Sequence, residues 1–154
     1  MWEFNGKVFD VPIEEINAEG YVGFVYKITN LDNGMIYIGK KNFFSHRKLK
    51  PTDKRRKTVE SDWKKYYGSS ANIKEDVKAM GKDRFKREII YLCKTLRALT
   101  YYEMKLQFEH DVILKDNYYN DNIAGKFFAS DARHITSAVK SPLTGLVEEL
   151  DTDS

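Results

Sequence analysis

Three groups of residues in this chain carry side chains suited to chemistry. The first is a carboxylate in an apolar setting. Across residues 96–114 apolar positions recur with helical period. At about 100° per residue, Leu96, Leu99, Tyr102, Leu106 and Ile113 share one face with Glu103 and His110. A carboxylate on a core-facing stripe needs an ion-pair partner, a hydrogen-bond network or a metal. Glu103 is therefore a candidate for pairing with Lys or Arg and for holding a cation. His110 reads as a satisfied core histidine rather than a ligand. Tyr101, Phe108 and Val112 lie opposite, so cover on both sides of this helix is expected.

The second group is a block of cations. Lys40, Lys41, Arg47, Lys48, Lys50, Lys54, Arg55, Arg56, Lys57, Lys64 and Lys65 face only Asp53, Glu60 and Asp62, a local charge of +8 in a chain of net charge +3. The remainder sums to −5, of which Glu148, Glu149, Asp151 and Asp153 near the C-terminal end supply −4. Phe43, Phe44, Trp63, Tyr66 and Tyr67 interrupt the basic block. Clustered cations with interleaved aromatics suggest a polyanion footprint; a solvated basic loop is the plainer alternative.

The third group is a pair of tyrosines on a hairpin. Gly23–Thr29 and Met35–Gly39 are β-branched and aromatic runs flanking Asn30-Leu31-Asp32-Asn33-Gly34, a turn signal. Side chains alternate between faces with period two, so any even-length loop puts Tyr26 and Tyr37 on one face. A two-residue loop sets Tyr37 opposite Asn30. A four-residue loop sets it opposite Ile28 and sets Gly39 opposite Tyr26, leaving a space beside the Tyr26 ring that a phosphate would fit. Both registers remain open at this point.

The elements that must position these groups follow from local signals. Residues 1–20 mix Trp2, Phe4, Val8, Phe9, Val11 and Ile13 with Gly6 and Pro12 and predict irregular or short-strand packing. Residues 61–68 suit a helical turn. Ser70 suits the cap of a helix over about 71–80, with Gly81 as its stop. Phe85–Cys93 reads as a third strand, residues 96–114 as the longest helix, and residues 115–125 as a loop. With 154 residues, 42% hydrophobic and 14% aromatic, the chain is too apolar for disorder and suits one domain. A single cysteine, Cys93, excludes a disulfide framework and a cysteine-built zinc site. No apolar run approaches the roughly 18–20 residues of a membrane span, and the first residues lack the pattern of a signal peptide. A soluble, intracellular protein is expected.

In Val25-Tyr26, Tyr37-Ile38-Gly39 eleven residues on, and the Lys-Ile-Thr-Asn that follows Tyr26, the chain resembles the GIY-YIG nuclease superfamily. Its first triplet is the degenerate Phe24-Val25-Tyr26. Arg47 stands ten residues after Tyr37, where the family has its catalytic arginine. Glu103 stands on the helix after the third strand, where the family has its metal-binding glutamate. Tyr119-Asn120 follows in the next loop, with Asn122 as an alternative to Asn120. Glu60-Ser-Asp-Trp63 and Tyr67-Gly-Ser-Ser70 resemble the phage-type, homing-endonuclease-like branch. Where many members carry a histidine one turn after the arginine, this chain has Pro51; His46 is the candidate substitute.

The resemblance implies an α/β (α+β) fold with a small, three-stranded, mostly antiparallel sheet flanked by helices. It assigns residues 21–125 to the nuclease-like domain, 1–20 to an N-terminal extension packing on it, and 126–154 to a C-terminal extension with an acidic tail. It implies hydrolysis of DNA phosphodiesters, double-stranded DNA being expected, with Mg²⁺ or Mn²⁺ on Glu103. It implies Arg47 on the scissile phosphate, Tyr26 as general base, Tyr37 on phosphate or water, and Asn120 holding its loop against the site. A cation at about 4 Å would favour the Tyr26 phenolate by roughly 4 kcal/mol at an effective dielectric of 20, and Lys40 or Lys41 is the expected source. Lys40, Lys48, Lys50, Lys54, Arg55, Arg56, Lys57, Lys64 and Lys65 are assigned to the DNA backbone. The cytoplasm of a bacterial or phage-infected cell is the implied location. A non-catalytic DNA- or RNA-binding relative is the alternative. Glu103-Met104-Lys105 also fits a PD-(D/E)xK triplet, but that triplet belongs on a strand and here falls mid-helix.

Overall fold

Strand β1 spans Trp2–Phe4, β2 Lys7–Val8, helix α1 Ile13–Glu19, β3 Gly23–Asn30, β4 Ile36–Asn42, β5 Phe44–Arg47 and β6 Lys57–Glu60. Helix α2 (Ala71–Met80), β7 (Phe85–Cys93), α3 (Leu96–Glu109), β8 (Asn122–Ile123), β9 (Phe127–Phe128) and α4 (Ala132–Ile135) follow. This computed structural model describes residues 1–47, 50–52, 54 and 57–142, and of Arg47 and Lys57 only the backbone.

The main sheet has five strands in the order β2-β1-β7-β3-β4. Its centre is the expected antiparallel trio β7-β3-β4, and the count of three is corrected to five by the N-terminal residues. Strand β1 pairs parallel with β7, Trp2 opposite Arg87, and β2 pairs antiparallel with β1. Trp2 is anchored by its indole N–H donating to the Trp63 carbonyl at 2.7 Å and by edge contacts with Phe24 and Tyr26.

The hairpin adopts the four-residue loop. Asn30 N–H donates to the Met35 carbonyl at 2.8 Å, Gly34 N–H to the Asn30 carbonyl at 2.8 Å, and Gly34 takes φ +75°. Tyr26 therefore stands opposite Gly39 and Ile28 opposite Tyr37. On the other side of β3 the register with β7 slips between Val25 and Tyr26, which face Tyr91 and Ile89. Ile90 is the extra residue of this bulge, a feature that re-aims neighbouring side chains.

Each face of the sheet is covered. Phe24, Tyr26, Ile28 and Tyr37 pack with Trp2, Ile16, Phe43, Trp63 and Ile73 in one core. Val25, Ile38 and Cys93 pack with Leu99, Leu106, Val112, Ile113 and Ile123 in the other, beneath α3. Helix α2 begins where Ser70 Oγ accepts from Ile73 N–H, and α3 where Thr95 Oγ1 accepts from Ala98 N–H. The expected helical turn at 61–68 is a short 3₁₀ turn, Trp63–Lys65.

Helix α3 ends at Glu109, five residues sooner than its apolar pattern predicts, with Asp111 at φ +49°. His110 is thereby exposed at the helix end rather than in the core. Tyr101 and Phe108 also remain exposed, although Phe108 makes an edge contact with Phe127 and Val112 is buried, so the far side of α3 is covered only in part. Residues 44–47 and 57–60, which lie within the basic block and carry no element assignment from the sequence, pair as an antiparallel ribbon. No helix among the described residues is long and apolar enough to cross a membrane.

Candidate active site

Strand β4 lies at the sheet edge, and its outward backbone groups draw the candidate residues together. Ile36 N–H donates to the Asn117 carbonyl and its own carbonyl accepts from Tyr119 N–H. At Ile38 the partners are side chains. Asn120 Oδ1 accepts from Ile38 N–H at 3.1 Å, Asn120 Nδ2 donates to the Ile38 carbonyl at 2.8 Å, and Gln107 Nε2 donates to the same carbonyl at 3.0 Å. Lys40, next but one along the strand, bears electrostatically on the Glu103 carboxylate of α3. One strand edge thus sets Asn120 and Gln107 beside Tyr37-Ile38-Gly39, and Glu103 stands one turn before Gln107 on α3.

These residues open onto a cavity of about 320 Å³ lined by Tyr37, Ser69, Glu103, Gln107, Asn120 and Asn122, among others. Every one offers oxygen. Glu103 is half-buried, and burial raises its carboxyl above the ordinary glutamate value, with the Lys40 ammonium and N–H drawing it part of the way back. Gln107, 5% exposed, has its Nε2 engaged while its Oε1 is buried without a partner. A hard oxygen set with two carboxylates, Glu103 and the exposed Asp121 at its rim, suits Mg²⁺, which keeps several waters and needs only one or two protein carboxylates.

Tyr26 approaches from below. The open space expected beside its ring is filled by the ring itself. A Cβ on Gly39 would stand 2.5 Å from Tyr26 Oη and 2.8 Å from Cζ, so the phenol lies across β4 because Gly39 has no side chain. Tyr26 is fully buried, and its hydroxyl has no hydrogen-bond partner among the described residues. Burial first, then the neighbouring Tyr37 and Tyr66 and the Glu103 carboxylate, hold its phenol well above the ordinary tyrosine value. The lysines expected to offset this are engaged elsewhere. Lys40 Nζ donates to Thr100 Oγ1 at 2.9 Å, while Lys41 Nζ pairs with Asp62 at 2.6 Å and lies 4.2 Å from the Tyr66 ring centroid.

Tyr37 is 8% exposed, and its hydroxyl is 2.6 Å from Ser69 Oγ. Burial raises its phenol while the Ser69 hydrogen bonds lower it. Of the two asparagines, Asn120 is buried against the strand edge, whereas Asn122 is exposed and its Oδ1 accepts from Gly125 N–H. His46 is exposed on β5, its Nδ1 2.9 Å from Thr58 Oγ1. Arg47 is the last residue of β5, opposite Lys57.

The basic block divides. Lys50, Lys54, Lys64 and Lys65 are exposed, and Lys40, half-buried against α3, stands apart from them. Lys48, Arg55 and Arg56 lie outside the described residues, as do the side chains of Arg47 and Lys57. Sequence reasoning missed Gln107 and Arg87. Gln107 is one turn beyond Glu103, so the i, i+4 spacing was the available signal. Arg87 is 4% exposed, donates to the Lys64 and Tyr66 carbonyls, and lies between the Trp2 and Tyr67 rings, so it fixes the segment that carries Tyr66.

The chain matches the family model described as "Putative endonuclease segE, GIY-YIG domain" over residues 2–123. It is similar to "Putative endonuclease segD" of Enterobacteria phage T4, 32% identical over 103 residues. That match covers 66% of this chain and 38% of the relative, so the chain spans well under half of that relative's length. No solved structure matches it.

Two outcomes follow from this geometry. Gly39→Ala forces the Tyr26 hydroxyl off the strand and should destabilise the fold by about 1–3 kcal/mol in urea denaturation; an unchanged midpoint would show that the phenol does not lie there. For Glu103 the raised folded-state value means that the folded protein binds its proton more tightly than the unfolded chain. Stability therefore falls as pH rises from the ordinary glutamate value through the raised one, and stays reduced above it. In chelator at neutral pH, Glu103→Gln should melt higher than the wild type, and the advantage should vanish below about pH 4. Equal melting at neutral pH would contradict the burial described.

Proposed function

Since the chain belongs to the GIY-YIG endonuclease family, we propose that it hydrolyses phosphodiester bonds of double-stranded DNA with a divalent cation, Mg²⁺ or Mn²⁺, held by Glu103. The observation that carries this reading is the gathering of Glu103, Asn120 and Tyr37 around one oxygen-lined cavity, with Tyr26 beneath it. A bound cation would supply Lewis-acid charge to the scissile phosphate and the departing oxygen.

The chain's own groups do the rest. Glu103 carries the negative charge that attracts the cation, and its partial burial strengthens that attraction. Asn120 and Gln107 fix the Ile38 peptide and so set the spacing between Tyr37 and Gly39. Tyr37 presents its hydroxyl at the cavity wall, where it orients phosphate or water. Tyr26 holds its proton at neutral pH in the structure described, so its role as general base requires positive charge brought beside the phenol. Arg47 is assigned to the scissile phosphate, which a guanidinium binds bidentately.

Lys50, Lys54, Lys64 and Lys65, with Lys48, Arg55, Arg56 and Lys57, are assigned to phosphates flanking the cut. Such contacts position DNA without reading its sequence. The cytoplasm of a bacterial or phage-infected cell is the proposed place of action.

Incubation of supercoiled plasmid with the protein, with and without Mg²⁺ or Mn²⁺, tests this reading. The wild type should nick or linearise the plasmid only with metal, and Glu103→Ala should lower the rate at least about 100-fold while still binding DNA. Equal cutting by both would overturn the assignment of Glu103. Binding without cutting under either metal would instead make the chain a non-catalytic DNA-binding relative.

A further inference from the structure

The run Tyr67-Gly68-Ser69-Ser70 carries no role in the proposed chemistry above, yet the fold brings it against Tyr37. Gly68 takes φ +101°, and a Cβ there would meet Tyr37 Cδ1 at 3.3 Å and Ile73 Cγ2 at 2.9 Å. Its bare backbone therefore lies close against the tyrosine ring. The next residue places its Oγ 2.6 Å from the Tyr37 hydroxyl. Ser70 then caps α2 through Ile73 N–H, and Ile73 is fully buried, so the segment has a fixed end. On the other side, Arg87 holds the Lys64 and Tyr66 carbonyls just upstream. A short stretch anchored at both ends thus grips Tyr37 by its ring edge and by its hydroxyl.

Ser69 and Tyr37 line the same cavity as Glu103 and Asn120. At 2.6 Å either hydroxyl can be the donor. With Ser69 donating, the phenol oxygen accepts from that side and directs its own O–H to another, and here the open direction is the cavity. Ser69 itself is exposed, so its side chain contributes little to packing.

We propose that Ser69 is the positioning residue of Tyr37: its hydroxyl donates to the phenol oxygen, with Gly68 against the ring, and so turns the Tyr37 O–H toward the phosphodiester in the cavity. This rests on the reading of Tyr37 as part of a nuclease site. The hairpin supplies the tyrosine, and the loop before α2 sets its direction. A phenol held by one hydrogen bond and one ring contact loses rotational freedom before substrate arrives, which is the kind of pre-organisation that raises the rate of the chemical step rather than affinity.

The test uses the full chain, supercoiled plasmid and Mg²⁺, comparing wild type, Ser69→Ala, Ser69→Thr, Tyr37→Phe and the double variant Ser69→Ala/Tyr37→Phe. Single-turnover nicking rates are read beside DNA affinity from fluorescence anisotropy and melting temperature. Ser69→Ala should nick about tenfold more slowly with affinity and melting unchanged. Ser69→Thr, which keeps the hydroxyl, should recover most of the rate. The double variant should be no slower than Tyr37→Phe alone, since the serine acts only through the phenol oxygen. If Tyr37→Phe cuts like the wild type, the reading of Tyr37 fails and the proposal with it. If Tyr37→Phe is slow but Ser69→Ala is not, or if the two losses add, the proposal alone is overturned. A serine that touched the phosphate directly would give the additive result.

Discussion

The outer edge of strand β4 is the constraint on which the rest of the site depends. An edge strand exposes a row of backbone N–H and C=O groups that must find partners or remain open to pairing with other chains. Here Ile36 is satisfied by the backbone of Asn117 and Tyr119, and Ile38 by Asn120 and Gln107. Asn120 and Gln107, which close the edge at Ile38, also line the cavity. At that position sealing the strand and assembling the site are the same hydrogen bonds. Glu103, one turn before Gln107, takes part in no ion pair among the described residues, which leaves its charge available to a ligand.

The two tyrosines divide the other face of the hairpin. Tyr26 is sunk among Trp2, Phe24, Tyr37 and Tyr66 and reaches across Gly39. Its burial fixes its position and suppresses its ionisation together. Tyr37, two strand positions from Gly39, keeps its hydroxyl at the cavity wall with Ser69 beside it. A second polar chain, Asn30 Nδ2 to Tyr119 Oη to Asp76 Oδ2, ties the hairpin turn to the loop after α3 and to α2. The loop that delivers Asn120 is therefore attached immediately before Asn120 itself.

Much of this was legible in the sequence. The parity argument put Tyr26 and Tyr37 on one face, and one of its two registers is the observed pairing. Ser70, Gly81 and the Phe85–Cys93 run marked α2 and β7 closely, because capping, a left-handed stop and a β-branched run are local signals. What escaped depended on distant partners. Trp2 becomes a strand residue only because Arg87 lies beside it. The β5–β6 ribbon, rich in cations, carries little of the apolar alternation that marks a strand. Gln107 looked like an ordinary helix residue, since nothing in its neighbours announces that Ile38 needs a donor. Helix α3 was overextended because Val112 and Ile113 are buried after the helix has ended, so apolar spacing outlasted the element. The source of charge for Tyr26 was misplaced for a similar reason: Asp62 and Thr100, the partners of Lys41 and Lys40, lie far along the chain.

The central claim is that the edge of β4 builds a cation site on Glu103. Anomalous diffraction from crystals soaked in Mn²⁺ tests it most directly. The account predicts one strong peak in the cavity bounded by Tyr37, Gln107 and Asn120, with a Glu103 oxygen as its protein ligand at about 2.0–2.2 Å. A peak bound away from Glu103, or an empty cavity under Mn²⁺ that supports cleavage, would contradict it.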